Sequence, residues 1–339
     1  MAFQVIWFIL WGVLWAVYFM LDGFDLGAGM LYRFLAKSEA DRGLIRRSIG
    51  PMWDGNEVWL LTAGGATFAA FPAVYASMFS YLYTAFLIIL FSLILRGVSI
   101  EFRAKGEGSR WTKTWDLGFA LGSFVPALLF GVAFGNIFRG LPMDASGYHG
   151  TLFSLLNLYG LLTGVFFVAL FLVHGALWVA MKTEGDLAKR ALDAAGKIWF
   201  AAAAAAMAFF VTTPFATKLL GNYVSRPIWF VVPALALLGL VETKSYAGRG
   251  QSGRAFAASC ATIVLVTATG LVGLYPNLLP SRLDATATLT IFNASSSPYT
   301  LKIMTIVALI FVPIVIGYQI WVYRVFRKKI SAGDGEAAY

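Results

Sequence analysis

Along this chain, long apolar runs alternate with short polar segments in which the basic residues gather. Runs able to cross roughly 30 Å of hydrocarbon fall near residues 5–31, 53–73, 77–102, 115–138, 156–181, 197–219, 227–243, 255–275 and 302–325. The pattern predicts an all-α integral membrane protein of about nine transmembrane helices. The seventh run is short and carries Pro233, so loop charge is used to test it. With the amino terminus outside and the carboxyl terminus cytoplasmic, twenty of the 26 Lys and Arg residues lie in cytoplasmic segments. Five (Arg139, Lys218, Arg226, Arg282 and Lys302) lie outside, and Arg96 lies within the third run. Deleting the seventh helix would reverse everything after it and carry seven basic residues to the wrong side. Nine spans is therefore the economical reading.

Composition supports a lipid environment. The sequence is 59% hydrophobic and only 13% charged, against about 25% charged in an ordinary soluble domain, and its mean hydropathy is +0.75. A net charge of +9 does not imply a nucleic-acid partner, because the basic residues sit in short loops and not on one soluble face. The single cysteine, Cys260, excludes an intramolecular disulfide and Cys-based metal sites. The first apolar run has no basic segment ahead of it and no small-residue cleavage site, so it reads as a retained helix. No loop is long enough for a soluble catalytic domain and no strong repeat is visible. Residues 1–339 read as a single polytopic membrane domain.

An ionised side chain at a helix centre costs about 2.5 to 3.5 kcal/mol on insertion scales, so intramembrane charges are the first candidates for function. Asp22 and Asp25 lie three apart in Leu21-Asp22-Gly23-Phe24-Asp25-Leu26-Gly27, on one helix face. Asp54 and Glu57 repeat the spacing in Gly50-Pro51-Met52-Trp53-Asp54-Gly55-Asn56-Glu57-Val58-Trp59, and Arg96 supplies the opposite charge. At about 1.5 Å per residue, all five fall in the cytoplasmic half. Fully ionised they would total −3, so Arg96 is expected to pair with a carboxylate of the first or second span, and at least one other carboxyl to hold a proton. The bland readings are capping and dipole stabilisation for Asp54 and Glu57, which follow a proline, snorkelling for Arg96, and a helix cap for Asp116. Of the two histidines, His149 lies in an outside loop. His174, in the fifth run, is expected to hydrogen-bond a neighbouring helix and not to ligate haem.

The ten-residue run from Gly50 to Trp59 closely resembles the signature of subunit II of cytochrome bd quinol oxidase, as does Leu21 to Gly27. Leu93-Ile94-Leu95-Arg96-Gly97, His174-Gly175-Ala176, Lys182-Thr183-Glu184-Gly185 and Ser297-Pro298-Tyr299-Thr300-Leu301-Lys302 are also similar to that family. Gly97 departs from it, standing where some relatives have proline. The resemblance implies a subunit of a terminal oxidase in a bacterial or archaeal cytoplasmic membrane, which takes electrons from quinol and reduces O2 to water. It implies two haems b and a haem d held by the partner, subunit I. It also implies a structural quinone, a small single-helix accessory subunit, and surrounding lipids. Carried over by motif, Asp54 and Asp25 become the proton-delivering positions, with Asp22, Glu57 and Arg96 organising the path and Asp116 and His174 as accessory positions. Two other readings compete on the residues alone. A proton-coupled secondary transporter would need an inverted repeat and a midplane site, and a pure scaffold would use its charges only to pin helices.

Overall fold

The computed structural model describes residues 1–331 of the chain, so the last eight residues of the expected 1–339 domain lie outside the described part. Twelve α-helices follow in order: α1 (Ala2–Leu35), α2 (Glu39–Ile49), α3 (Trp53–Ala70), α4 (Pro72–Tyr81), α5 (Tyr83–Phe102), α6 (Ser109–Arg139), α7 (Leu158–Lys182), α8 (Gly185–Ala216), α9 (Leu220–Ser225), α10 (Val231–Gly248), α11 (Ser252–Leu274) and α12 (Pro298–Val325). Two small antiparallel hairpins, β1 (Met143–Asp144) with β2 (Gly147–Tyr148) and β3 (Asn277–Leu279) with β4 (Leu289–Thr290), dress the connections at one end. That end is called the hairpin end below. The other, where α2 lies, is called the basic end.

Among the described residues, eight helices are long and apolar enough to cross a membrane: α1, α5 to α8, α10 to α12. The expected span at 53–73 appears as α3, 18 residues and about 27 Å long, followed after Phe71 by α4, which Pro72 opens. Its carboxylates Asp54 and Glu57, with Asn56, lower its hydropathy below that of the other eight. The expected seventh span is present, and its proline is harmless: a 3-10 turn, Pro227–Phe230, leads into α10 and Pro233 falls in the first turn of that helix, where no intrahelical N–H is required. Helix α2 lies in what reads from hydropathy as a plain loop. Its signal is local, a capping box in which Ser38 accepts from the Asp41 N–H and the Asp41 carboxylate accepts from the Ser38 N–H.

Helix α1 is the centre of the bundle, packed by α3, α6, α7, α11 and α12. Its hairpin-end half carries an aromatic ladder, Trp11, Trp15 and Phe19, which meets Phe130 and Phe134 of α6 and Phe167 of α7 edge to face. Near the basic end Phe24 stacks on Trp178 at 4.0 Å. Close helix approach is set by glycines, as is usual where no hydrophobic effect drives helix association in lipid. Gly27 of α1 meets Gly175 of α7 backbone to backbone. At Gly122 of α6, an added Cβ would lie 2.7 Å from both the Arg96 nitrogen and the Ser92 oxygen of α5.

Gly122 therefore sets the height at which Arg96 is held. Gly122→Val is expected to lower the thermal unfolding midpoint by the equivalent of about 1–3 kcal/mol of overpacking. Gly43→Ala, at a position with nothing within 4 Å, should leave the midpoint in place. Equal midpoints for the two variants would show that α5 and α6 do not depend on this approach.

Candidate functional site

The site is built from three helices that bring charge to one buried point. Along α1, Asp22 and Asp25 share a face and both are completely buried. Along α5, Arg96 is also completely buried. Its Nη2 donates to Asp22 Oδ1 at 2.6 Å and to Glu57 Oε1 of α3 at 2.5 Å. The pairing expected with one carboxylate of the first or second span is made with one from each, through a single nitrogen. Removing a guanidinium from water is costly, and opposite charge in direct hydrogen-bonded contact offsets that cost. Arg96 thus cross-links α1, α3 and α5.

Asp25 is not an Arg96 partner. Its Oδ2 accepts from Asn56 Nδ2 of α3 at 2.7 Å. The same Nδ2 reaches the Leu21 carbonyl at 3.2 Å, and Asn56 Oδ1 accepts from Gln319 Nε2 and Tyr323 Oη of α12, each at 3.0 Å. Asn56 is fully buried with its amide engaged on both sides. An amide carries no charge, so nothing in its residue type marks Asn56 in the sequence. In the fold the buried positions of α3 are Asn56, Trp59, Ala63, Thr67 and Ala70, a stripe at spacings of three and four.

That stripe also sets the direction of Asp54. Two residues before Asn56 is about 200° around a helix, so Asp54 points away from α1. It is exposed, and its Oδ1 accepts from the next backbone N–H, Gly55, at 2.6 Å. Glu57, 24% exposed along its side chain, flanks the stripe and reaches inward. Four of the five predicted charges form the buried site, while Asp54 stands one helical turn from Glu57 at the molecular surface.

The accessory positions lie elsewhere. Asp116 is not a helix cap: α6 begins at Ser109, and Asp116, two turns in, is buried against Arg103. Arg103 Nε donates to Asp116 Oδ1 at 2.5 Å, and its Nη1 and Nη2 grip both oxygens of Glu39 at 2.5 and 3.0 Å. Arg42 lies 3.5 Å from the other Asp116 oxygen. This cluster binds α2 to the ends of α5 and α6, and hydropathy had placed Arg103 among the solvated loop charges. His174 is buried, stacked on Phe256, with Nδ1 at 2.5 Å from Ser259 Oγ and Nε2 at 2.9 Å from the Met20 carbonyl. It hydrogen-bonds neighbouring helices as expected. With both ring nitrogens engaged, it does not fit an axial haem ligand. His149 sits at 2.9 Å from Asp144 in the β1–β2 region. Among the described residues no group of three or more His, Cys, Asp or Glu could hold a metal ion.

Two outcomes test these contacts. Arg96→Ala leaves Asp22 buried without its cation, and is expected to destabilise the fold by about 3–5 kcal/mol, read as lost folded protein or a lower unfolding midpoint; wild-type stability would mean that the ion pair contributes nothing. The second concerns Glu39. Hydrogen bonds from Arg103 hold its carboxyl below the usual carboxylate range. The folded value being the lower one, its contribution is present above the unfolded value near 4.3 and lost as pH falls through the folded value. Proteolysis around α2 should rise on acidification below about pH 4, and Glu39→Gln should flatten that dependence.

The chain matches the family model described as cytochrome bd terminal oxidase subunit II over residues 3–326. It is 39% identical to the cytochrome bd ubiquinol oxidase subunit 2 of Bacillus subtilis (strain 168), covering 96% of each chain. It is 37% identical to the cytochrome bd-I ubiquinol oxidase subunit 2 of Escherichia coli (strain K12), covering 98% of this chain and 96% of that one. Its fold is similar to a chain of the bd oxidase from Geobacillus thermodenitrificans, with a TM-score of 0.80 at 17% identity over 96% of this chain and 99% of that one. Matched over nearly its whole length by family and relatives alike, the chain belongs to the cytochrome bd terminal oxidase subunit II family.

Proposed function

We propose that this chain is the subunit of a cytochrome bd-type oxidase that holds the complex together and carries protons from the cytoplasm to the oxygen-reducing centre of subunit I. In such a complex each quinol gives up two electrons and two protons, and each O2 takes four electrons and four protons to form two waters. Protons for water must therefore enter a membrane interior that excludes them. The observation that supports the proposal is the charge set Arg96, Asp22, Glu57 and Asp25 inside the bundle, with Asp54 exposed at the surface one helical turn before Glu57. Asp54 lies in the first turn of α3, at the end with most of the basic residues, which the positive-inside rule makes cytoplasmic. The amino terminus is then outside and the membrane is the bacterial inner membrane. Asp54 loads from water, Glu57 stands at the edge of the bundle, and Asp25 is the innermost carboxyl not paired with a cation.

The haems belong to subunit I in this reading, because the histidines here do not fit them, and no step is assigned to haem in this chain. A structural quinone has room in the apolar cleft of about 1020 Å³ between α1, α3 and α12, lined by Trp7, Trp59, Phe311 and Tyr323 among others. The outward apolar side chains of α12, such as Leu309, Ile310 and Phe311, suit contact with lipid, subunit I or a single-helix accessory subunit. A transporter reading gains nothing from the geometry, since the carboxylates gather toward the basic end and not at the midplane.

Asp54→Asn and Asp25→Asn keep size and hydrogen bonding while removing a titratable proton. Each is expected to lower quinol-dependent oxygen consumption of the intact complex by about one to two decades at unchanged haem content. A cap or scaffold role predicts near wild-type rates, since Asn caps nearly as well as Asp. Wild-type turnover in both would end the relay proposal. Separately, the chain purified alone is expected to carry no stoichiometric haem in its visible spectrum, and a full haem complement there would overturn the division of labour.

A further inference from the structure

Asn56 fixes which oxygen of Asp25 is free to handle a proton. An asparagine amide has one end that only donates and one that only accepts. On the α1 side Asn56 faces two oxygens, Asp25 Oδ2 at 2.7 Å and the Leu21 carbonyl at 3.2 Å. A backbone carbonyl cannot donate, so the NH2 end must lie there; the flipped amide would set oxygen against oxygen. On the α12 side the remaining Oδ1 accepts from Gln319 and Tyr323, each at 3.0 Å, two donors contributed by one helix a turn apart. The orientation of this buried amide is thus determined on the α1 side by the Leu21 carbonyl and satisfied on the α12 side by Gln319 and Tyr323, and Asp25 Oδ2 accepts its N–H. Asp25 Oδ1 is buried with no hydrogen-bond partner among the described residues.

We propose that Gln319 and Tyr323 of α12 are positioning residues for proton transfer at Asp25: by bonding Asn56 Oδ1 they hold in place the amide whose N–H Asp25 Oδ2 accepts, and so make Oδ1 the oxygen that takes up and releases the proton. This rests on the relay reading of Asp25 and goes beyond it, assigning the oxygen and the helix that selects it. In that role α12 completes the path. The proton enters on Oδ1, toward a single direction, and cannot be trapped in a bond to Asn56. The ionisable groups around Asp25 are Asp22 and Tyr18 of α1, Glu57 of α3, Arg96 of α5 and Tyr323 itself. Gln319 reaches Asp25 through the amide, and Tyr323 both through the amide and by its own charge interaction with Asp25.

The test uses the purified complex and the variants Gln319→Met, Tyr323→Phe and their combination, with Asp25→Asn as reference. The infrared carbonyl band of a protonated carboxyl that disappears in Asp25→Asn is assigned to Asp25. Each single variant is expected to slow oxygen consumption two- to threefold. The double variant, with Asn56 Oδ1 left without a donor, should slow it about tenfold, the scale of one net hydrogen bond, and should shift or broaden the Asp25 band at normal haem content. A band and rate both at wild-type values in the double variant overturn the positioning role, while a slow Asp25→Asn leaves the relay itself standing. A slower rate with an unmoved band means a packing effect only and also overturns it. If Asp25→Asn removes no band or turns over normally, relay and positioning fall together. Should the double variant lose haem, the single variants are read by the same band and the same criteria decide.

Discussion

A guanidinium with no access to solvent, deep in an apolar bundle, is the constraint on which the rest of this molecule is arranged. Arg96 reaches carboxylates on two other helices through one nitrogen, so α1, α3 and α5 must meet at one height. Gly122 lets α6 come close enough under the Arg96 backbone to hold that height from behind. The glycine contacts between α1 and α7 then seat the opposite face of α1. Each half of this arrangement is poor alone. The charges would be expensive in lipid without the close packing, and the close packing at a glycine has no fixed register without a directional bond.

One cation does not neutralise three carboxylates, two of them fully buried, and the structure separates them accordingly. Asp22 and Glu57 share Arg96, while Asp25, one turn from Asp22 on the same helix, is given an amide in its place. Substituting a neutral donor for a charged one keeps Asp25 hydrogen-bonded without adding a second buried cation. It also leaves that carboxyl with a choice of protonation state that a tight ion pair would remove. A second and separate charge cluster, Arg103 with Glu39 and Asp116, works at the edge of the bundle. It ties the amphipathic α2 across the basic end without touching the inner set.

Much of this was legible from residue types. The apolar runs mark the membrane helices, since nothing else satisfies a backbone in lipid, and the charges inside them mark the site because their cost demands a partner. What was not legible is direction. Asp54 and Glu57 share a spacing rule with Asp22 and Asp25, yet the buried stripe of α3 runs through Asn56, which turns Asp54 outward and Glu57 inward. Spacing gives the angle between two residues on a helix but not which angle faces the neighbour. The meeting of Asn56 with Gln319 and Tyr323 was not legible for a different reason: they are neutral polar residues, and their contact depends on α12 returning to α3 from more than 260 positions away. Arg103 and Lys182 read as solvated loop charges because their burial comes from elements that hydropathy does not see, α2 in one case and the end of α12 in the other.

Helix α12 is the least enclosed of the long helices, with Leu301 its one buried side chain among the described residues. Its attachment is therefore polar and local rather than apolar and extensive. Near its start, the Trp7 indole donates to the Leu301 carbonyl at 3.1 Å and Ser296 bonds the Ala70 carbonyl at 2.8 Å. Near its finish, the buried Lys182 of α7 donates to the carbonyls of Phe326 and Lys328, and Ile330 returns a backbone bond to Lys182. Those carbonyls lie at and just past the end of α12, where a cation also meets the negative end of the helix dipole. Between the two attachments the contacts that face inward include Gln319 and Tyr323 on Asn56. A helix held at both ends, with an apolar outer face and a polar inner grip on the charged site, is suited to lie between the charge cluster and whatever covers that face. Through Gln319 and Tyr323 this helix stands one amide away from Asp25, the carboxyl proposed to pass protons on.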